Sequence, residues 1–528
     1  LGGITFQNSD YEIYSFRTTH IPNESLGMAG MSEGQAGTTT SAKSSWAMLS
    51  YLGRVTYNYM SKYYATVSFR ADGSSKFNKD NRYGYFPSGS LAWSFSEEEF
   101  MKPLKSVLSS GKVRLSWGLT GNNRIGEYDY YALLAVLKSR VGSYTSTNSL
   151  PSGVYPFDND ATNAGVVPTS LPNKDLKWET TEQWNAGLDL GFLNNRINLT
   201  VDWYKKMSKD MLMQLNLPSI MGTSGNASSA LAAPYGNYGD IENTGLEIAL
   251  NTHPIVTKDF DWSSDVTISI NKNKLKSLSG STALLGKGQW SDVVSRSAPG
   301  ESLYNFYGYV VEGVYKDYND IISSPVQTLQ KNNPISVTTD ADGTKHYAWI
   351  DDPSKFSRSN TTYVGDLKYK DFNGDGLIDG DDQHRIGKNG FPRANYGINF
   401  DVSYKGWFAN MLWQGATSRD MYMGDMIQGL GQDKGYLPVI YDFMGDTWTP
   451  DNTDAKYPRL RSSGTINGNN NYTQSDFWLI NGAYLRLKTL NVGYDFKHKL
   501  LKKTPWITKC TLALSGYNLF TISPATKY

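Results

Sequence analysis

The sequence predicts an all-β chain, a transmembrane antiparallel β-barrel portion of about 12 or more strands. Three observations predict it. Apolar and polar residues alternate strictly over many stretches of the 528 residues. Those stretches approach the ~9–11 residues that a tilted strand needs to cross a bilayer. Tight turns between them alternate with long polar excursions, the rhythm of a barrel with one short-looped and one long-looped end.

Alternation at period two gives a strand two different faces. In Tyr51–Tyr59 one face carries Tyr51, Gly53, Val55, Tyr57 and Tyr59, and the other Arg54, Thr56 and Asn58. After the short Met60-Ser61-Lys62 turn, Tyr63, Ala65, Val67 and Phe69 oppose Thr66, Ser68 and Arg70. Similar runs are Val113–Leu119, Ile197–Trp203 and Ile398–Tyr404. A water-soluble sandwich also alternates, so this pattern alone does not place the strands in a membrane. Strand length, and Tyr and Trp toward the strand ends where interfacial girdles form, favour a barrel.

Connection lengths give an independent test. Asn194-Asn195 and Lys405-Gly406 are tight links, whereas 122–181, 215–242, 276–395 and 416–480 are long polar excursions. Residues 276–395 are the longest and are expected to lie outside the cell. A helical bundle or doubly wound fold would not give this rhythm.

Composition excludes several classes. Hydrophobic residues make up 39% and charged residues 19%, while 36 Tyr and 14 Trp supply amphipathic rings suited to a membrane–water boundary. A single cysteine, Cys510, excludes an internal disulfide framework and any multi-cysteine metal site. The net charge of +1 carries no bias toward nucleic acid. No apolar run reaches the ~18–20 residues of a membrane-spanning helix, and Leu1-Gly2-Gly3-Ile4 does not open a signal peptide. Histidines 20, 253, 346, 384 and 498 lack metal spacing, and neither a nucleophile elbow nor a phosphate-binding lysine motif occurs. Gly429-Leu430-Gly431 with Gly435 misses dinucleotide spacing and is expected to be a loop; Glu97-Glu98-Glu99 is expected to be a solvated turn. No catalytic residues are expected.

Several blocks then resemble the SusC-like (RagA/SusC) TonB-dependent outer-membrane transporters, in family order over most of the chain. They are Leu52–Tyr57, Phe69–Phe77, Arg82–Ser88, Lys112–Asn122, Leu176–Thr181, Asn185–Asp189, Tyr484–Lys488 and Ser515–Phe520. The resemblance implies that residues 1–528 are the C-terminal part of a barrel of about 22 strands. The plug and TonB-contacting segment would lie outside this chain. It also implies an integral outer-membrane position among lipid and lipopolysaccharide. The implied partners are a SusD-like lipoprotein lid and the TonB complex, and the implied function is active import of a glycan or peptide. A passive porin or a barrel-based adhesin is the alternative; a secreted glycan-binding or glycan-degrading β protein is a third.

One run carries metal chemistry. Asp371-Phe372-Asn373-Gly374-Asp375-Gly376-Leu377-Ile378-Asp379-Gly380-Asp381-Asp382 has calcium-loop spacing. Asp371, Asn373, Asp375, Asp379 and Asp382 would offer side-chain oxygens and Leu377 its carbonyl, with Gly376 at the sharp bend. Asp382 stands where a longer Glu is usual, which shortens bidentate reach. The alternative is a polar turn without metal; mutual repulsion of five carboxylates favours Ca2+. Such an ion would stiffen a loop rather than catalyse. Candidate substrate-facing residues are Tyr304, Phe306, Tyr307, Tyr309 and Trp448, with Tyr144, Tyr155 and Trp290 also in or beside loops. Each of these rings could instead pack loop against loop, or against a lid protein. The block from Trp448-Thr449-Pro450 to Tyr457-Pro458-Arg459 also resembles the family's outer region.

Overall fold

In the computed structural model the alternating stretches become thirteen strands of one antiparallel sheet. The structure describes residues 1–136, 166–168, 170–214, 234–279, 283–287, 293–330, 332–423, 445–460 and 470–527. In chain order the strands are β1 (Gly2–Thr19), β2 (Gln35–Tyr59), β3 (Tyr63–Ser74), β4 (Tyr83–Trp93), β5 (Leu108–Asn122), β6 (Glu179–Phe192) and β7 (Ile197–Lys209). They continue as β8 (Gly239–Val256), β9 (Phe260–Leu278), β10 (Ala394–Tyr404), β11 (Trp407–Thr417), β12 (Tyr484–Asp495) and β13 (Thr511–Ile522). Each pairs with its sequence neighbour in the sheet, so the described strands form an open meander with β1 and β13 at its edges.

Turn chemistry sets this register. At the β2–β3 hairpin Met60 and Ser61 hold φ of 51° and 56°, and Asn58 Oδ1 accepts from the Ser61 amide at 3.0 Å. Lys405-Gly406, at φ 48° and 91°, makes the same kind of tight turn between β10 and β11. The long connections 123–178, 210–238, 279–393 and 418–483 leave from the other end of the sheet and match the excursions expected from sequence to within a few residues.

The first strand, β1, does not keep one alternation along its length. Ile4 and Phe6 share one face, but Tyr11 and Ile13 fall on the other, and a bulge lies between Phe16 and Thr18. Beyond Met48, which pairs with Ser74 at the end of β3, β2 pairs with β1 alone as a two-stranded ribbon.

Cross-strand register gathers the apolar positions on one face. Val55 pairs with Val67, Leu91 with Leu115, Leu115 with Ala186, Ala186 with Trp203 and Trp203 with Leu246. This face is open: Val55 is 72% exposed and Val67 65%. In water each such side chain would forgo about 1.5–3 kcal/mol of burial, and the row spans the sheet. That penalty disappears against hydrocarbon, which favours lipid over water as the neighbour of this face. Among the described residues no helix is long and apolar enough to cross a membrane.

At the long-loop end of β3–β7 the sheet is capped by a packed core of Phe77, Phe86, Ile125, Leu176 and Trp178. The Trp178 ring lies 5.3 Å from Phe77 and 5.5 Å edge-on from Phe86, and its Nε1 donates to Arg82 O at 2.9 Å. Gly121 gives the Phe86 ring its space, since a β-carbon there would sit 2.0 Å from it. Three of the sequence blocks quoted above thus meet as one core.

Candidate functional site

The opposite face of the sheet is polar and internally paired. Arg114 forks onto Asp189 at 2.7 Å and Asp202 at 3.0 Å, uniting β5, β6 and β7. Arg70 meets Asp72 on the same face at 2.6 Å. Two hollows open along these strands. One of about 590 Å³ is lined by residues including Thr200, Asp202, Glu247, Ser269, Asn395 and Gln414. Another, of about 340 Å³, is lined by residues including Arg54, Thr66, Ser68, Ser88 and Asn185. Short hydroxyl and amide side chains on alternate positions leave this room.

Above the strands, the described residues of 305–382 fold with 445–460 and 470–478 into a loop body with its own core. Tyr315, Ile321, Val326, Trp349 and Leu377 form one cluster, and Tyr309, Leu367, Tyr369 and Ile378 another. The two segments are joined by a buried ion pair. Arg459 Nε lies 2.6 Å from Asp366 Oδ1, and Nη2 donates to Oδ2 at 2.9 Å; the side chains are 2% and 0% exposed. Asn471 closes the pair, donating to Asp366 Oδ1 at 2.9 Å and to Arg459 O at 3.1 Å. A buried pair is favourable only when other groups satisfy its remaining donors and acceptors, as Asn471 does for the carboxylate and Arg358 O does for Nη1 at 2.8 Å. Burial raises the Asp476 carboxyl, which accepts from the Val311 amide at 2.9 Å, above its ordinary range.

The acidic run closes on backbone amides. Asp371 accepts from Gly374 and Gly376, Asn373 from Asp375, Asp375 from Leu377, and Asp379 from Asp381. Asp382 is fully buried and clasps the two ends, accepting from Phe372 at 2.8 Å and Asp379 at 2.9 Å. Gly376 at φ 81° makes the bend the spacing calls for. Among the described residues, no lysine or arginine pairs with these carboxylates. Nor do three or more His, Cys, Asp or Glu side chains among those residues converge as a metal site.

The aromatic candidates part company. Tyr309 is 3% exposed and packs on Tyr369, so its ring serves the loop core; burial pushes its hydroxyl pKa upward. Trp448 is partly buried against Gly365, with its amide donating to Tyr457 O at 2.9 Å. Tyr307 lies under Arg296, whose guanidinium is 4.9 Å from the ring centre. Phe306 lies 6.3 Å from Tyr422, and Tyr304 lies 5.8 Å from Phe391. Tyr144, Tyr155, Trp290 and the 429–435 glycines lie outside the described residues.

Sequence reasoning missed Phe391, a lone ring in a polar stretch, and Tyr422, set between Met421 and Met423; neither belongs to a periodic run. It also missed the Asp366–Arg459 pair, whose members are 93 residues apart. The expected solvated turn at 97–99 needs correction at Glu98. Its carboxylate accepts from Tyr63 at 2.6 Å, Lys62 at 3.0 Å and Trp93 at 3.1 Å, tying the β2–β3 turn to the β4–β5 connection. The Tyr63 hydroxyl, then Lys62 and Trp93, hold its pKa down at about 2.

Comparisons with known proteins agree with this architecture. A TonB-dependent receptor P3 of Formosa agariphila is 29% identical over 539 aligned positions, covering 99% of this chain and 46% of the relative. The TonB-dependent receptor SusC of Bacteroides thetaiotaomicron is 29% identical over 85% of this chain and 38% of its own length. The chain therefore spans less than half the length of these relatives. In the solved structures, the RagAB peptide importer in its closed-closed state superposes with a TM-score of 0.71 at 22% identity. That superposition covers 99% of this chain and 49% of the RagAB chain and attests the shared fold. The two-faced sheet is that of an integral outer-membrane protein. The family model "TonB dependent receptor-like, beta-barrel" matches residues 2–407, and the chain belongs to that family.

Proposed function

We propose that this chain is the C-terminal part of a closed barrel of about 22 strands that imports a glycan or peptide nutrient. The single observation that carries the reading is the thirteen-stranded sheet with an exposed apolar face, a polar opposite face and two unpaired edges. Unpaired backbone groups at a lipid-exposed edge cost several kcal/mol each, so further strands must close the sheet. The polar face then becomes a lumen wall, and the loop body faces the cell exterior beneath a SusD-like lipoprotein. TonB, acting through a region outside this chain, supplies the energy. Nothing in this scheme breaks a bond in the substrate; the chain contributes wall and binding surface, with Tyr304, Phe306 and Tyr307 as candidate contacts.

Uptake by cells carrying the complete protein tests this reading. Accumulation of the nutrient should cease when TonB is deleted or the inner-membrane gradient is collapsed. Uptake that continues unchanged would make the chain part of a passive porin.

We also propose that the 371–382 loop takes a calcium ion. Support comes from the oxygen spacing, the Gly376 bend and the carboxylates' lack of a cationic partner among the described residues. The ligands would be Asp371, Asn373, Asp375, Leu377 O, Asp379 and Asp382. Chelation should lower the unfolding temperature of the loop body and calcium should restore it, with about one ion per chain by elemental analysis. An unchanged melting curve with no bound metal would reject the ion.

A further inference from the structure

We propose that Tyr304 and Phe391 form a two-ring ledge on which an uncharged sugar ring stacks, and that Asn389 positions both. This rests on the import reading and adds specific contact residues to it. The two rings are half exposed or more, at 54% and 60%, with centroids 5.8 Å apart and planes tilted by 53°. Rings so tilted do not cover one another's faces. Both belong to connections rather than to the apolar face of a strand.

The backbone holds them out. Tyr304 sits at φ 56°, a conformation unfavourable for a bulky residue and kept only where neighbours enforce it. Its amide donates to Ser297 Oγ at 2.8 Å, and the preceding Leu303 amide donates to Asn273 Oδ1 at 2.8 Å. Asn273 lies on β9 in alternation with Asn271 and Ser269, positions of the polar face. The turn is thereby anchored to the side of the sheet that would line the lumen. Asn389 joins the two ring-bearing segments: Nδ2 donates to Leu303 O while Oδ1 accepts from the Phe391 amide at 2.8 Å. One side-chain amide thus sets the spacing of the pair. Strained backbone, an amide clasp and uncovered rings together describe a preformed surface.

The turn beneath the rings is held by amides and hydroxyls, namely Asn273, Asn389 and Ser302 with the buried Asn305 and Ser297, and Glu301 lies 3.4 Å from Asn305. A sugar presents an apolar C–H face to an aromatic ring, which suits two open rings held at a fixed angle.

The test is calorimetric titration of the complete transporter in detergent with maltoheptaose, cellohexaose, xylohexaose, mannohexaose and, as the uncharged peptide control, pentaalanine. At least one oligosaccharide should bind, and Tyr304→Ala and Phe391→Ala should each weaken it by about tenfold or more. Tyr304→Phe should retain binding, because it keeps the ring. Asn389→Ala should weaken binding with both rings present, and a melting curve matching wild type separates this from misfolding. Binding unchanged by loss of either ring, binding of none of the oligosaccharides, or ring-dependent binding of pentaalanine alone would overturn the ledge. TonB-dependent uptake by the wild type, measured alongside, separates the two readings. Uptake indifferent to the rings sinks only the ledge, and ring-dependent binding without uptake sinks only import.

Discussion

The sheet and the loop body are held together by opposite means. In the sheet, each strand meets its sequence neighbour, most side chains are partly exposed, and the apolar row faces outward. In the loop body, residues far apart in sequence meet, Tyr315 and Trp478 are almost wholly buried, and a guanidinium and a carboxylate are locked away from water. The sheet thus depends on its solvent being lipid, while the loop body carries a core of the kind water-soluble domains use. Perturbations should separate the two.

The largest effect is expected at the buried pair. Arg459→Met leaves Asp366 charged and without its guanidinium, at a cost of about 3–5 kcal/mol. The damage should stay local: hydrogen exchange should rise across 305–382 and 470–478 while the strand amides of β5–β9 keep their protection. Loss of protection throughout would show that the body and the sheet unfold as one. Next, Val67→Arg puts a charge on the apolar face and should cost about 2–4 kcal/mol near the bilayer midplane. Ser68→Arg, one residue along on the polar face, should cost much less; folding titrations into lipid vesicles compare them. Equal penalties would erase the distinction between the faces.

Gly121→Ala tests the core where loops and strands join. The added methyl meets the Phe86 ring, and about 1–3 kcal/mol of overpacking is expected, read as a lower denaturant midpoint. The smallest effect belongs to Glu98. Its pKa is depressed from an ordinary 4.5 to about 2, so its contribution is present above 4.5 and is lost as pH falls toward 2. The stability advantage of wild type over Glu98→Gln should therefore shrink on acidification through that window. An advantage that grows instead would reverse the assignment.

The difference between the regions also decides what the sequence discloses. Strands β2, β3, β5, β7 and β10 announce themselves because alternation is local and each face has one solvent. β1 hides because Tyr11 and Ile13 break the phase once the ribbon leaves the neighbouring β3 strand. The blocks containing Phe77, Phe86 and Trp178 are recognisable in sequence, but their joint role as a core is visible only in three dimensions. The loop body has no period to read: Asp366 and Arg459 are two charges among many until folding buries them together. Likewise Phe391 is one ring in a polar stretch, and only the Asn389 clasp sets it beside Tyr304.

The central claim is that the two faces of the sheet meet different solvents. Nitroxide labels at single cysteines from 64 to 70 on β3, in the complete protein with Cys510→Ser and reconstituted in lipid, test it directly. Collisions with oxygen, which partitions into hydrocarbon, should peak at 65, 67 and 69 and fall at 66 and 68. Peaks at 66 and 68, or no alternation at all, would contradict it.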